Sequence, residues 1–130
     1  MRKAILMMLL AVVNGNAMAE WLAVVHATDN SYNTYANYST ILKAGNIAEM
    51  WFMDDFQTAK KEAGGKLYMS SKEQFGFDCK KLQWRTLVYT LHSGKMGEGA
   101  VVYSDSNPSK WAPIRPGSKI EVFWKIACGK

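Results

Sequence analysis

Two cysteines, Cys79 and Cys128, stand in a chain that opens like an exported protein, and together these features narrow the fold further than any other part of the sequence. Met1-Arg2-Lys3 is a short positive segment, and Ala4 to Val13 is an unbroken apolar run. Ala17-Met18-Ala19 then supplies the small-x-small pattern that signal peptidase accepts. The apolar run is too short to span a bilayer, and Asn14, Gly15 and Asn16 interrupt it. Residues 1–19 are therefore expected to be a cleaved signal peptide, and residues 20–130 a single mature domain. No cysteine lies near the cleavage site, so no lipid anchor is encoded. The expected location is the periplasm, the cell surface or the extracellular space. In such an oxidising compartment an even pair of cysteines is most simply one disulfide. The loop it closes is long, for which the chain-entropy argument gives about 4 kcal/mol of stabilisation. Neither cysteine belongs to a Cys-x-x-Cys, and only His26 and His92 are there to complete a thiol or metal site, so neither role is expected.

The mature segment reads mostly as strand. Asp29-Asn30-Ser31, Ala63-Gly64-Gly65, Gly94 to Gly99 and Asn107-Pro108 punctuate it. Between these breaks lie β-prone stretches at 21–27, 33–38, 46–57, 66–79, 82–93 and 100–104, joined by connections short enough to favour antiparallel neighbours. The C-terminal segment differs. Ser118-x-x-Glu121 is a capping box, and Ile120, Phe123, Trp124 and Ala127 recur behind it at helical spacing. Cys128 continues that stripe, while Phe75, Phe77 and Cys79 share one face of the strand that ends at Cys79. The helix should thus pack on the sheet and be pinned there by the disulfide. The expected fold is α+β, an antiparallel meander of about six strands with one covering helix.

The chemistry-bearing residue types are sparse. Asp54 and Asp55 are neighbours on a strand and point to opposite faces, so they cannot share a proton, and solvation near a strand end is their expected role. Gly94-Lys95-Met96-Gly97-Glu98-Gly99 runs into a strand-like segment rather than a helix, so it reads as a hairpin with positive-φ glycines and not as a phosphate cradle. His26 and His92 have no nucleophile elbow or metal-ligand spacing around them. No catalytic residue, metal ligand or cofactor site is expected, and the chain is read as a non-enzyme. Loss of Arg2 and Lys3 with the leader lowers the formal net charge from +5 to +3, with the lysines scattered apart from the doublets Lys60-Lys61 and Lys80-Lys81. No nucleic-acid motif accompanies that charge, and no transmembrane segment follows the leader. The sequence carries 5 Trp, 6 Tyr and 5 Phe. Tyr32, Tyr35 and Tyr38, set among Asn, Ser and Thr, are the expected adhesive surface, because tyrosine offers a large contact area at low entropic cost.

An ordered series of short motifs runs through the chain. Asp55-Phe56-Gln57-Thr58, Tyr68-Met69-Ser70-Ser71-Lys72 and Phe77-Asp78-Cys79-Lys80 come first. Ser93-Gly94-Lys95-Met96-Gly97, Val102-Tyr103-Ser104, Trp111-Ala112-Pro113-Ile114, Pro116-Gly117-Ser118 and Trp124-Lys125-Ile126-Ala127-Cys128 follow. This series resembles the surface-adhesin protein E family of small exported bacterial proteins over nearly the whole mature segment. The resemblance implies an antiparallel sheet with a disulfide-tethered C-terminal helix. It also implies a protein partner, since the family's named adhesin attaches to host matrix and plasma proteins such as vitronectin and laminin. That adhesin is displayed through a lipidated N-terminal cysteine, which has no counterpart in this sequence. A soluble periplasmic envelope protein, or an inhibitor of a bacterial or incoming protein, is therefore the second expectation. Pairing of two copies through an edge strand is the expected route to a homodimer.

Overall fold

From Trp21 to Asp105 the chain runs up and down beside itself without a crossover. The computed structural model describes residues 20–130, and the signal peptide expected at 1–19 lies outside the described residues. Six strands follow in order: β1 (Trp21–His26), β2 (Tyr32–Ala44), β3 (Ile47–Lys61), β4 (Leu67–Asp78), β5 (Gln83–His92) and β6 (Val101–Asp105). Each pairs antiparallel with the next, and a two-residue strand β7 (Ala112–Pro113) joins the first part of β5. Helix α1 (Lys119–Cys128) closes the chain. This is the meander and covering helix that the spacing of turns and the helical stripe indicate.

Two elements differ from expectation in extent. β2 continues through Ser39 and Thr40, where polar composition suggests a loop, because side chains carry it across a bulge. The Asn37 side-chain oxygen accepts from the Ser39 amide at 3.1 Å, and Thr40 Oγ1 accepts from the Trp51 amide at 3.0 Å. Hydroxyl and amide groups thus replace missing backbone partners, and pairing resumes at Leu42. β3 runs on to Lys61, which places Asp54 and Asp55 well inside the strand rather than at its end.

Register decides which residues share a face. Thr34, Asp54 and Ser71 lie side by side, and Ala36, Phe52 and Glu73 form the adjacent row. Met50, Phe52, Phe75 and Phe77 on this side meet Phe123, Trp124, Ala127 and Cys128 of α1 to form the core. The Phe123 ring stacks on Phe52 at 4.0 Å between centroids, and burying one such side chain contributes on the order of 2–3 kcal/mol. At the start of α1 the Ser118 hydroxyl accepts from the Glu121 amide at 3.1 Å. Glu121 in turn accepts from the Gly117 amide at 3.0 Å, one residue before the amide a capping box would use, since the Ser118 amide already donates to the Arg115 carbonyl. Gly129 ends the helix at φ 70°, a left-handed conformation that glycine adopts freely. Cys79 and Cys128 are bridged across 49 residues, with their Cα atoms 5.5 Å apart. Trp124 Nε1 donates to the Asp78 carbonyl at 2.9 Å and fixes the helix beside the bridge.

Candidate functional site

α1 covers one face of the sheet only. On the other, period-two alternation lines up Trp21, Asn37, Trp51, Gln74 and Val88 across five strands, and all but Asn37 are half-buried rather than buried. Two cations lie in the same surface against aromatic rings. Lys72 Nζ sits 5.8 Å from the centre of the Trp21 ring, and the Arg85 guanidinium carbon 4.7 Å from that of Trp111. The Arg85 Nε group is buried without a hydrogen-bond acceptor among the described residues, leaving a donor unused beneath the stacked ring. Trp, Tyr and Arg are the residue types that most often dominate protein–protein binding energy, because they bury much area with few rotamers to freeze. Stacking on Trp111 also holds the guanidinium in place before any partner arrives.

The expected tyrosine patch is divided by the same alternation. Tyr35 lies opposite Met53 and Ala23 and belongs to the open face. Tyr32 is on the helix side, with Lys119 Nζ 4.2 Å above its ring and Phe56 beside it at 6.4 Å. Tyr38 stands at the β2 bulge and is 44% exposed. A spacing of three gathers residues on a helix but scatters them on a strand. Trp21, Trp51 and Arg85 carry no motif that marks them in the sequence, and Trp111 is marked only as the start of the family-like Trp111-Ala112-Pro113-Ile114. For Trp51 a signal was available, since its parity on β3 is opposite to that of Met50 and Phe52.

The glycine-rich connection between β5 and β6 folds down onto this face. Its 3-10 turn, Lys95–Gly97, places Met96 at φ 55° and Gly97 at φ 72°. The Met96 amide donates to Asp55 at 2.7 Å and the Gly97 amide to Ser70 Oγ at 2.8 Å, while Ser70 donates to the Gly94 carbonyl at 2.6 Å. Lys95 reaches the Phe56 carbonyl at 2.7 Å and the Asp55 carboxylate at 3.4 Å. The glycines do take positive φ, but the loop is strapped to β3 and β4 and covers Met53. Its amides are engaged by Asp55 and Ser70, so they do not form an anion cradle. Asp55, expected to be solvated, is instead a buried anchor, because the loop brings donors to it.

Asp54 points to the helix side, as strand alternation requires. It accepts from Thr34 Oγ1 and holds Lys119 Nζ at 3.1 Å, so it also is not simply solvated. One row away, Glu73 accepts from Ser71 at 2.7 Å. Burial pushes its carboxyl up to about 7, and the negative charge of Asp54 acts in the same direction. This pair is packed beneath the start of α1 and ties helix to sheet. His26 bonds to Asn33 and Asn30, which raises its pKa, whereas burial lowers that of His92, bonded to Thr90 at 2.7 Å. The two imidazoles occupy opposite ends of one cross-strand row and form no common site. Among the described residues no set of three His, Cys, Asp or Glu side chains is placed to hold a metal.

The sequence model of the family described as surface-adhesin protein E matches residues 21–129. The chain belongs to the surface-adhesin protein E family. No curated protein matches it by sequence. Among solved structures, Haemophilus influenzae protein E superposes with a TM-score of 0.61 at 12% identity, covering 84% of this chain and 93% of that one. A second crystal form of the same Haemophilus protein gives 0.63 at 11% identity, with 83% and 96% covered. At such identity the likeness is one of fold. Family membership makes the chain an adhesin-like protein of an exported class, one of surface adhesins rather than of enzymes. No helix of the described residues is long and apolar enough to cross a membrane.

Proposed function

We propose that this protein is an exported, non-enzymatic adhesin-like protein that attaches to a host extracellular-matrix or plasma protein through the open face of its sheet. The observation that carries the reading is the half-exposed set of Trp21, Trp51 and Trp111 with Lys72 and Arg85 stacked among them. Such a surface supplies rigid aromatic anchors and a preorganised bidentate donor, which suits a protein partner better than a small molecule. Tyr35 extends it, while Tyr32 and Tyr38 lie elsewhere. The family match begins at residue 21, which agrees with a mature chain that starts after Ala19. Among the described residues the outer edge of β1 has no strand beside it, and a second copy would pair there, although the bulge between Ala23 and Val25 blunts it.

The test is binding of the mature protein to immobilised vitronectin and laminin. Trp51→Ala and Arg85→Ala should each weaken binding by roughly 10-fold or more, the range of an interface anchor. Tyr38→Ala should leave it unchanged. Equal binding by all three variants would remove the open face as the contact surface. Protease shaving of intact cells decides display. Resistance to shaving, with release by osmotic shock, would favour the periplasmic alternative, for which the lack of a cysteine near the expected cleavage site speaks.

A further inference from the structure

Charge is distributed unevenly along the strands. At the end that holds the β1–β2 and β3–β4 turns, Lys60, Lys61, Lys66 and Lys95 are matched by Asp29, Asp55, Glu62 and Glu98. The opposite end gathers Lys43, Lys80, Lys81, Lys125 and Lys130, all exposed. Several contacts bring these five together. Cys79, next to Lys80, is bridged to Cys128, and its amide donates to the Asn46 carbonyl of the β2–β3 turn at 2.7 Å. The Lys130 amide donates to the Lys125 carbonyl at 2.9 Å, and Lys43 Nζ lies 3.4 Å from where a Cβ on Gly129 would stand. Among the described residues the ion pairs are Lys95–Asp55 and Lys119–Asp54, so none of the five lysines is neutralised by one. Asp78 is at this end, but its carboxylate is turned to the Lys80 and Lys81 amides at 3.0 Å. Glu49, half-buried, pairs directly with Leu42, so one carboxylate stands beside five lysines.

Two leucines emerge among these lysines. Leu42 is 63% exposed, and Leu82, the last residue of the β4–β5 turn, is 46% exposed. Leu82 also has φ 53°, a left-handed conformation that a leucine adopts at a cost and an asparagine or glycine would take more readily. An exposed leucine held in an unfavourable backbone conformation, flanked by unpaired lysines, is poorly explained by folding alone.

We infer that the disulfide end of the domain, formed by Lys43, Lys80, Lys81, Lys125 and Lys130 with Leu42 and Leu82, docks on an anionic lipid bilayer. Lysines near such a surface each strengthen binding by roughly fivefold, and apolar side chains among them enter the acyl boundary. A sulfated glycan would use the lysines but give the leucines nothing to bury in.

The experiment is co-sedimentation of the mature, disulfide-bonded protein with phosphatidylcholine vesicles, with and without phosphatidylglycerol. Binding should require phosphatidylglycerol and fade as salt rises. The pair Lys80→Gln and Lys81→Gln should weaken it roughly 25-fold. The pair Lys60→Gln and Lys61→Gln, at the balanced end, should have no effect. Leu82→Asn should weaken binding while leaving the fold intact, because asparagine suits the turn. Equal binding to both vesicle types, equal loss from both lysine pairs, or capture by heparin without vesicle binding would each overturn the inference.

Discussion

Replacing Glu73 by glutamine tests whether this carboxyl is held protonated under the start of α1. Its pKa rises from an ordinary 4.5 to about 7 because burial disfavours the anion and Asp54 repels it, with only partial relief from Ser71 and Lys119. The folded state therefore binds the Glu73 proton more tightly than the unfolded chain does. That contribution is fully present below the unfolded pKa and is lost as the pH rises through about 7. Between pH 5 and pH 8 the wild-type protein should lose about 2.5 kcal/mol from this group. The amide introduced by Glu73→Gln keeps an oxygen for the Ser71 hydroxyl but carries no charge. The variant should therefore lack that slope and be more stable than wild type at pH 8 by about 1–2.5 kcal/mol. His26, whose pKa is raised, adds a slope of the same sense, and His92, whose pKa is lowered by burial, adds one of the opposite sense. Both are common to the two proteins and cancel in the difference. Urea unfolding followed by tryptophan fluorescence, disulfide intact, at several pH values measures it. Parallel pH profiles, or a Glu73→Gln variant less stable than wild type at pH 8, would refute the reasoning.

Two further outcomes follow from the geometry. Replacing Cys79 and Cys128 together by serine should lower the unfolding free energy by about 2–5 kcal/mol, read from urea midpoints, and should make α1 the first segment cut in limited proteolysis. An unchanged midpoint would show that Trp124 and Phe123 hold the helix without the bridge. Gly97→Ala and Gly45→Ala both place alanine at positive φ, at a cost of about 1 kcal/mol each. Only at residue 97 would the new Cβ meet a neighbour, running into Lys72 Cε and lying 3.3 Å from Met53 Sδ. The melting temperature of Gly97→Ala should therefore fall further, as Lys72 is pushed from Trp21. Equal shifts would mean that the strap over β4 yields freely.

The composition of the leader, the paired cysteines, the Ser118–Glu121 cap and the apolar stripe ending at Cys128 are local signals, each set by residues near one another in the chain. By themselves they pointed to export and indicated the covering helix and the bridge, while the turn residues between β-prone stretches indicated the meander. Strand periodicity also separated Asp54 from Asp55 correctly. What it could not supply was the environment each then enters: Asp55 meets the Met96 amide 41 residues onward in the loop, and Asp54 meets Lys119 65 residues onward on α1. The same limit hid the candidate binding surface. Alternation assigns Trp51 to one side of β3, but only cross-strand register sets it in line with Trp21 and Gln74, and only the docking of α1 on the other face leaves that row open. Lys43, Lys80 and Lys125 look scattered in the chain and become neighbours because turns and helix end meet at the bridge. Secondary structure is chosen by near neighbours, whereas burial, pairing and charge clustering depend on which distant segments the fold brings together.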